Sequence, residues 1–370
     1  MAKKGWFAKL VLYPLSRLYG LGVAVRNLMF NKGILLRQHS FDVPVVAVGN
    51  LTVGGAGKTP HTEYIISSLA ANYRIGMLSR GYRRKTHGFV LASDHSRPED
   101  IGDEPYQIYR KYRSRDVMVA VCESRVEGIR RMLELNPAIN LIVLDDAFQH
   151  RYVKPAVSIL LTEHSHPAYE DSLLPYGRLR EPVKAMNRAD IVILTKCPDD
   201  MKPVDYRIFK ENLDLFPWQK LLFSSYRYLP LVPLFPQSHR DRPVPRLENS
   251  DSSHTFLAVA GVANPRPFVR YLRKTGARVK LMIYDDHHNF THSDMEAILR
   301  KFATIKSPDK MLITTEKDAV RLANNPYFPP DLRPLAYYVP IAVEFLPRGG
   351  DNLGSAIRQC LRNKMKPAGV

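Results

Sequence analysis

VGNLTVGGAGKTP, residues 48–60, is a glycine-rich stretch that directly continues a short apolar, β-branched run beginning at Val43. Its end fits the P-loop pattern G-x-x-x-x-G-K-[ST], with Gly57, Lys58 and Thr59 in the last three positions. Thr52 stands where the pattern has its first glycine. Helical spacing follows the loop, and the order strand, glycine loop, helix predicts a phosphate-binding loop.

The residue types of this loop suit phosphate binding. Gly54, Gly55 and Gly57 allow backbone N–H groups to converge on phosphate oxygens without obstruction by side chains. Lys58 can reach the β- and γ-phosphates of a nucleotide, and the Thr59 hydroxyl can ligate Mg²⁺. The residues expected to hold the nucleotide are Thr52, Val53, Gly54, Gly55, Ala56, Gly57, Lys58 and Thr59.

A second segment supplies the carboxylates that such a loop needs for its metal ion. An apolar run from Ile139 to Leu144 reads as a buried strand, and Asp145 and Asp146 follow at its C-terminal end. Adjacent side chains of a strand point to opposite sides, so at most one of the two is expected to contact the metal directly. The sequence does not decide which of them it is, nor which divalent ion is used.

The chain from Val43 onward alternates strand-like and helix-like segments. Near-continuous apolar strands between helices predict an α/β fold whose parallel sheet is covered on both faces. Residues 39–225 are predicted to form the P-loop domain, and residues 226–254, which are dense in proline, a linker. A smaller α/β domain is predicted for residues 255–370.

The first 41 residues are basic and apolar and contain no acidic residue. Their longest uncharged run, Leu18 to Val25, is eight residues long, whereas a helix needs ~18–20 to span a bilayer. Residues 1–38 therefore predict one or two basic amphipathic helices, bent or broken around Pro14. Such helices can lie in an anionic membrane interface or pack on their own domain, and the pattern alone does not distinguish these alternatives.

The composition narrows the function only in part. A formal net charge of +18 in 370 residues favours an anionic partner, which can be nucleic acid, an acidic membrane or a phosphorylated substrate. The three cysteines are scattered and show no C-x-x-C spacing. Neither a disulfide framework nor a zinc site is expected, and a reducing compartment is favoured.

Seven segments in chain order resemble one family, the tetraacyldisaccharide 4'-kinases of lipid A biosynthesis. They are VGNLTVGGAGKTP, LSRGYRRKTHG, GDEPYQI, LDDAFQHR, LLPYGRLREP, VAGVANPRPF and YDDHHNFT. The family's loop reads N-L-[ST]-x-G-G-x-G-K-[ST], which accounts for Thr52. The resemblance extends from the N-terminal helix to about residue 322 and so covers most of the chain.

The resemblance implies phosphorylation of the 4'-hydroxyl of an acylated diglucosamine 1-phosphate, with ATP and Mg²⁺, to give lipid IVA. It implies a P-loop NTPase-like α/β/α sandwich, a second, smaller α/β/α domain and an N-terminal amphipathic helix. It also implies a peripheral protein on the cytoplasmic face of the bacterial inner membrane, with anionic lipids but no nucleic acid as partners. Acyl-chain preference and oligomeric state stay open.

The resemblance further assigns catalytic residues. Asp103, in GDEP, is the expected base, although an aspartate before Glu104 and Pro105 is also a favoured helix cap. His287 resembles the family histidine that pairs with this aspartate, and the adjacent His288 leaves that assignment ambiguous. Because the two residues fall in different predicted domains, their pairing predicts that domain closure assembles the site.

Three arginines are expected to bind the substrate or its phosphates: Arg80, Arg125 and Arg180. The main alternative to a kinase is a P-loop protein that binds nucleic acid or a protein partner and uses the nucleotide as a switch. The acid-free basic stretch is apolar and helical, which suits lipid better than duplex DNA. Thr195 replaces the asparagine of a guanine-specific N-K-x-D loop, so GTP is not inferred.

Overall fold

The structure, a computed structural model, describes residue 6 and residues 8–239, 243–347 and 352–365. Lys3 and Lys4, part of the predicted N-terminal segment, lie outside the described residues. The chain divides into a larger unit, Met1–Tyr226 with Val343–Val370, and a smaller unit, Arg227–Ala342.

The strands of the described residues are, in chain order, β1 (Val45–Asn50), β2 (Ile75–Ser79), β3 (Val90–Leu91), β4 (Val117–Val121), β5 (Leu141–Leu144), β6 (Val157–Glu163), β7 (Ile191–Thr195), β8 (Lys220–Tyr228), β9 (Val232–Pro233), β10 (Thr255–Ala260), β11 (Arg278–Ile283), β12 (Lys310–Thr315), β13 (Ala336–Val339) and β14 (Ile341–Leu346). The α-helices are α1 (Tyr13–Lys32), α2 (Lys58–Leu69), α3 (Pro98–Ile101), α4 (Asp103–Tyr112), α5 (Arg125–Leu135), α6 (Pro203–Leu213), α7 (Arg266–Lys274), α8 (His292–Ala303), α9 (Glu316–Ala323) and α10 (Leu353–Met365). A π-helical turn (Ala8–Leu12) precedes α1. Short 3-10 helices occupy Ala168–Glu170, Val183–Arg188, Pro236–His239, Leu247–Asn249 and Pro330–Leu335.

In the larger unit, the described strands form one sheet in the order β14-β8-β7-β6-β1-β5-β2-β4-β3. The pairs from β8 to β4 are parallel, and β3 is antiparallel to β4. Strand β5 lies beside β1 in parallel register, with Ala47 opposite Leu144. The residues that follow β1, β5, β2 and β4 therefore meet at one edge of the sheet, where ligands of such folds bind.

Helices cover both faces of this sheet. Successive residues of β1 point to opposite faces, so that Val46 packs in one core with Ile65 of α2. Ala47 packs in another core with Ile129 of α5. Both isoleucines are fully buried, and each such burial stabilises the fold by about 1.5–3 kcal/mol. The predicted α/β/α sandwich is confirmed.

The C-terminal helix belongs to the larger unit. The chain returns through β14, and Leu353, Ile357 and Leu361 of α10 are buried in the same core as Ile65 of α2. The predicted assignment of all of residues 255–370 to the second domain was therefore wrong for its last part. The chain returns to the larger unit more than a hundred residues after it leaves it at Tyr226. No local pattern in α10 indicates which of the two units its apolar side chains pack against.

The smaller unit is a five-stranded sheet within the described residues, in the order β11-β10-β12-β13-β9. Strands β10 to β13 are parallel, and β9 pairs antiparallel with β13. Leu257 of β10 packs in a core with Ile298 of α8, and Phe256 packs on the opposite face with Leu272 of α7. This unit is also an α/β/α sandwich. Residues 226–254 are not a free linker, because β9 lies within this sheet.

Helix α1 packs on the larger unit along a narrow stripe. The register changes from π to α at Pro14, which lies in the first turn of α1, where a missing N–H is tolerated. Of its side chains only Ser16, Val23 and Phe30 are buried. The guanidinium of Arg151 lies over the Phe30 ring and also donates to the Asn31 side chain at 2.7 Å.

The opposite side of α1 is apolar and exposed. The spacing of its apolar residues places on one face Leu15, Leu18, Leu21, Val25 and Leu28. Leu18 and Leu21 are 65% and 64% exposed. None of the helices among the described residues is long and apolar enough to cross a bilayer. The predicted helix is therefore present, and its exposed side carries a row of apolar side chains.

Candidate phosphate-binding site

The glycine loop has the backbone of an anion site. Gly57 precedes α2 with φ of +88°, a left-handed conformation that glycine adopts without strain. Gly57 is the N-cap residue of α2 and has no side chain that could bond the first N–H groups of the helix. These N–H groups are therefore available to a ligand. A Cβ added at Gly54 or Gly55 would meet no atom within 4 Å, which leaves room for a bound group. Tyr226 closes the other side, because a Cβ at Gly57 would overlap its hydroxyl.

Two cations and one carboxylate meet above this loop. The Lys58 ammonium lies 3.7 Å from an oxygen of Asp146 and 3.4 Å from Oδ1 of Asn50. The Arg180 guanidinium contacts the same two groups, at 3.3 Å from Asp146 and 2.5 Å from Asn50. Asp146 has φ of +46°, a conformation uncommon outside glycine, which directs its side chain to this cluster. The structure thus brings together Lys58, Asp146 and Arg180.

Asp145 lies beneath this cluster and is buried. Its carboxylate accepts a hydrogen bond of 2.9 Å from the Thr62 hydroxyl of α2. Burial, and secondly the charge of Asp146, raise the pKa of Asp145 to about 6. The ionised carboxylate is therefore destabilised in the protein by itself, and a divalent cation would relieve this cost.

Asp145→Asn is expected to stabilise the nucleotide-free protein. Because the folded pKa of Asp145 is raised from 3.8 to about 6, its ionised form costs stability above pH 6, and this cost fades as pH falls from 6 to 4. At pH 8 the variant should gain about 3 kcal/mol of unfolding free energy, and near pH 4 most of this gain should be lost. Urea unfolding across this pH range measures the difference. Asp116→Asn, which removes an exposed carboxylate, is the control, and an Asp145→Asn protein less stable than wild type at pH 8 would contradict the assignment.

Of the other predicted arginines, Arg125 is buried and Arg80 is exposed. Arg125, the first residue of α5, donates to the carbonyls of Cys122 and Glu123 at 3.3 Å each and lies 3.5 Å from that of Asp145. Its burial lowers its pKa to about 10. Arg125 thus holds the ends of β4 and β5 together, and its predicted contact with substrate stays a prediction.

Asp103 is the first residue of α4 and is half-buried. The cap position is taken by Gly102, so the helix-capping alternative is not the arrangement seen. The charge of the neighbouring Glu104 contributes to the raised pKa of Asp145, which places the start of α4 near the phosphate-binding edge. Asp103 is therefore positioned on the same side of the larger unit as the glycine loop.

In the smaller unit, the two adjacent histidines have different environments. His288 stacks on Tyr284 and its Nε2 lies 2.9 Å from Asp294, so it supports the fold of its loop. His287, with φ of +61°, lies against two cations of α9. Its Nε2 is 2.9 Å from the ammonium of Lys317, and its Nδ1 is 3.2 Å from the guanidinium of Arg321. The ammonium and the guanidinium can only donate, and a neutral imidazole has one acceptor nitrogen, so the ring accepts from one of these two cations. The two histidines thus differ in their surroundings, and the catalytic role of His287 stays a prediction.

Two residues of the site, Asn50 and His61, were missed from the sequence. Asn50, at the end of β1, donates to the Thr52 carbonyl at 2.8 Å and accepts from the two cations. Gln149 donates to the Asn50 carbonyl at 2.6 Å. His61 lies four residues after Gly57, and its Nδ1 donates to the Gly57 carbonyl at 2.7 Å. Burial lowers the pKa of His61 to about 4, so the ring is neutral and holds the loop as a donor.

The residues present fit a nucleoside triphosphate with Mg²⁺. Magnesium is held by few protein ligands, one or two carboxylates and a hydroxyl, together with phosphate oxygens and water. Thr59 follows Lys58 in the first turn of α2, and Asp145 and Asp146 directly follow the neighbouring strand β5. Within the described residues there is no group of three acidic, histidine or cysteine side chains that would form a metal site by itself.

The fold and the site define a P-loop nucleotide-binding enzyme with two α/β units. A family profile described as LpxK, tetraacyldisaccharide-1-P 4'-kinase, matches residues 8–362. The chain belongs to the tetraacyldisaccharide 4'-kinase family, and the resemblance inferred from the sequence is confirmed. The alternative of a nucleotide-switched nucleic-acid- or partner-binding protein is not favoured.

Individual relatives agree with this assignment. The tetraacyldisaccharide 4'-kinase of Bacteroides thetaiotaomicron is 46% identical over 354 residues, which are 94% of this chain and 91% of the relative. That of Bacteroides fragilis is 44% identical over 363 residues, 96% and 95% of the two chains. The crystal structure of the apo form of LpxK from Aquifex aeolicus in complex with ATP matches with a TM-score of 0.70 and 26% identity, over 94% of this chain and 98% of that one.

Proposed function

We propose that this protein transfers the γ-phosphate of ATP to the 4'-hydroxyl of tetraacyldisaccharide 1-phosphate, giving lipid IVA in lipid A biosynthesis. The observation that carries the proposal is the cluster of Lys58 and Arg180 around Asp146, above an open glycine loop, in a chain of this family. Phosphoryl transfer requires positioning and charge neutralisation more than covalent chemistry by the protein. This cluster supplies both.

The larger unit binds the nucleotide in this proposal. Backbone N–H groups of Gly54, Gly55, Gly57, Lys58 and Thr59 hold the phosphates, whereas the Val53 N–H bonds the Arg178 carbonyl. The α2 N-terminus favours the negative charge of the phosphates. Lys58 and Arg180 leave Asp146 and contact the phosphate oxygens when ATP binds. Mg²⁺ would be held by Thr59 and by Asp145 or Asp146, where it neutralises charge on the phosphates.

Asp103 acts on the acceptor. A sugar hydroxyl is a weak acid, so the carboxylate orients the hydroxyl and takes its proton late in the transfer. The family resemblance assigns His287 as the partner of Asp103. The contacts of its ring with Lys317 and Arg321 fix the ring in place, which supports a positioning role. Arg80 and Arg125 are the further candidates for binding substrate charge.

The test is transfer of radiolabelled γ-phosphate from ATP to tetraacyldisaccharide 1-phosphate in detergent micelles. A labelled lipid that disappears when the acceptor lacks its free 4'-hydroxyl supports the proposal. Protein that transfers no label but binds duplex DNA in a salt-sensitive way would replace it with the nucleic-acid alternative.

We also propose that α1 binds the cytoplasmic face of the inner membrane. A substrate with several acyl chains stays in the bilayer, so its kinase has to reach the bilayer surface. The exposed apolar residues of α1 lie together on one face, whereas single exposed leucines are ordinary on a protein surface. Arg17 and Lys32 are exposed on the same helix. Apolar burial and attraction of these cations to anionic lipids would act together.

Leu18→Ser with Leu21→Ser is expected to weaken binding to phosphatidylglycerol-containing vesicles about tenfold or more, since each leucine buries apolar area on docking. Cosedimentation with such vesicles measures the effect. Leu135→Ser is the matched control, because Leu135 is 56% exposed on α5. Unchanged sedimentation of the double variant would remove the membrane proposal. Point variants are preferable to deleting residues 1–38, since Phe30 is part of the core.

A further inference from the structure

One loop of the larger unit, residues 171–181, contacts the glycine loop along its backbone; we name it the bridging loop. The N–H of Val53 donates to the carbonyl of Arg178 at 2.8 Å, and the N–H of Arg180 donates to the carbonyl of Leu51 at 2.7 Å. The bridging loop is therefore held to the first half of the glycine loop by main-chain hydrogen bonds. The Arg180 side chain extends from this point to the phosphate site.

The same loop contacts helix α1 on its other side. The Ser16 hydroxyl donates to the carbonyl of Leu173 at 2.7 Å, and the Tyr19 hydroxyl donates to the carbonyl of Arg180 at 2.9 Å. Gly20 lies so close to the bridging loop that an added Cβ would be 2.7 Å from the Leu173 side chain. Helix α1 and the glycine loop thus contact two sides of one short segment.

Glu181 ends the bridging loop and is completely buried. Its carboxylate pairs with Arg26 at 2.9 Å and accepts from the Asn27 amide at 3.2 Å, both on α1. Arg188 pairs at 2.9 Å with Oε2, the oxygen that also accepts from Asn27. A buried carboxylate that loses one partner is costly, so its position depends on where α1 lies. Glu181 directly follows Arg180 in the chain, and a shift of one moves the other.

We propose that Glu181 is a positioning residue. It couples the packing of α1 on the bridging loop to the placement of the Arg180 side chain at the phosphate site. The inference rests on the proposed function, in which Arg180 binds phosphate oxygens. Helix α1 then has two roles: its outer face binds lipid, and its inner face holds the bridging loop so that Arg180 reaches Asn50 and Asp146.

The test compares variants of the inner face of α1 in the full-length protein, with ATP–magnesium and tetraacyldisaccharide 1-phosphate in mixed micelles. Arg26→Gln is expected to lower kcat about tenfold to a hundredfold, because small misplacements of a phosphate-binding group have effects of this size. KM for the lipid and binding to phosphatidylglycerol vesicles should stay unchanged, since the outer face is intact. Arg26→Lys, which keeps the charge, should recover most of kcat.

Tyr19→Phe removes only the hydroxyl that donates to the Arg180 carbonyl, and it tests the coupling if Arg26→Gln does not fold. It should lower kcat in the same direction without changing vesicle binding. Arg131→Gln, which breaks an exposed ion pair on α5, is the matched control. Wild-type kcat in both inner-face variants, or a raised KM for lipid with unchanged kcat, would overturn the coupling. Wild-type protein without transfer activity would instead refute the proposed function.

Discussion

Lys58→Ala is expected to lower kcat for phosphoryl transfer about a hundredfold to a thousandfold, the range seen when one preorganised donor to a developing charge is removed. Lys58 lies at the start of α2, 3.7 Å from Asp146, and its side chain is largely shielded from solvent. In that setting its charge is weakly screened. Arg180 stays nearby but reaches the site from the bridging loop, so it cannot take the position of Lys58.

Initial rates at saturating ATP measure this prediction, together with nucleotide binding by calorimetry. Lys154→Ala, which removes an exposed lysine of the same unit, should have wild-type rates. Lys58→Arg should restore little activity, because a planar guanidinium does not replace a compact ammonium among closely spaced phosphate oxygens. A Lys58→Ala protein that retains a third of wild-type kcat would show that phosphate charge is neutralised elsewhere.

The nucleotide half of the site was predictable because its signals are local. The end of a strand, a glycine loop and the start of a helix lie within thirteen consecutive residues, and Asp145 and Asp146 directly follow an apolar run. Parallel pairing of β1 with β5 then brings the two segments together. The general geometry of parallel sheets is sufficient to place the glycine loop and the two aspartates at the same edge of the sheet.

The contacts that were missed depend on distant segments. Asn50 gains its role from Arg180, which is 130 residues away in the chain, and His61 from Ser224, 163 residues away. Arg125 matched a family position, but only the packing of α5 shows that its guanidinium faces strand-end carbonyls. In the same way, the sequence does not show which side of α1 packs on the larger unit. The position of its exposed apolar face could therefore not be predicted.

Asp103→Asn is expected to lower kcat about a hundredfold to ten-thousandfold with ATP affinity unchanged, as for loss of a positioned general base. The side chain stays the same size, and because Gly102 occupies the cap position, no helix cap is lost. Unfolding should change by at most about 1 kcal/mol, from the lost attraction of a carboxylate to the helix N-terminus. Rapid-quench transfer and nucleotide binding separate chemistry from affinity, and Glu99→Gln, an exposed acid on α3, is the control.

The proposed partnership of Asp103 with His287 gives this prediction a second, stricter form. Residues that act as one unit in catalysis are strongly non-additive, so His287→Ala should add little to the loss in Asp103→Asn. Independent roles would multiply the two losses instead. His288→Ala serves as the matched histidine control, because that ring bonds Asp294 and stacks on Tyr284. It should lower thermal stability and leave kcat near wild type, and a kcat loss confined to His288→Ala would reverse the assignment of the two histidines.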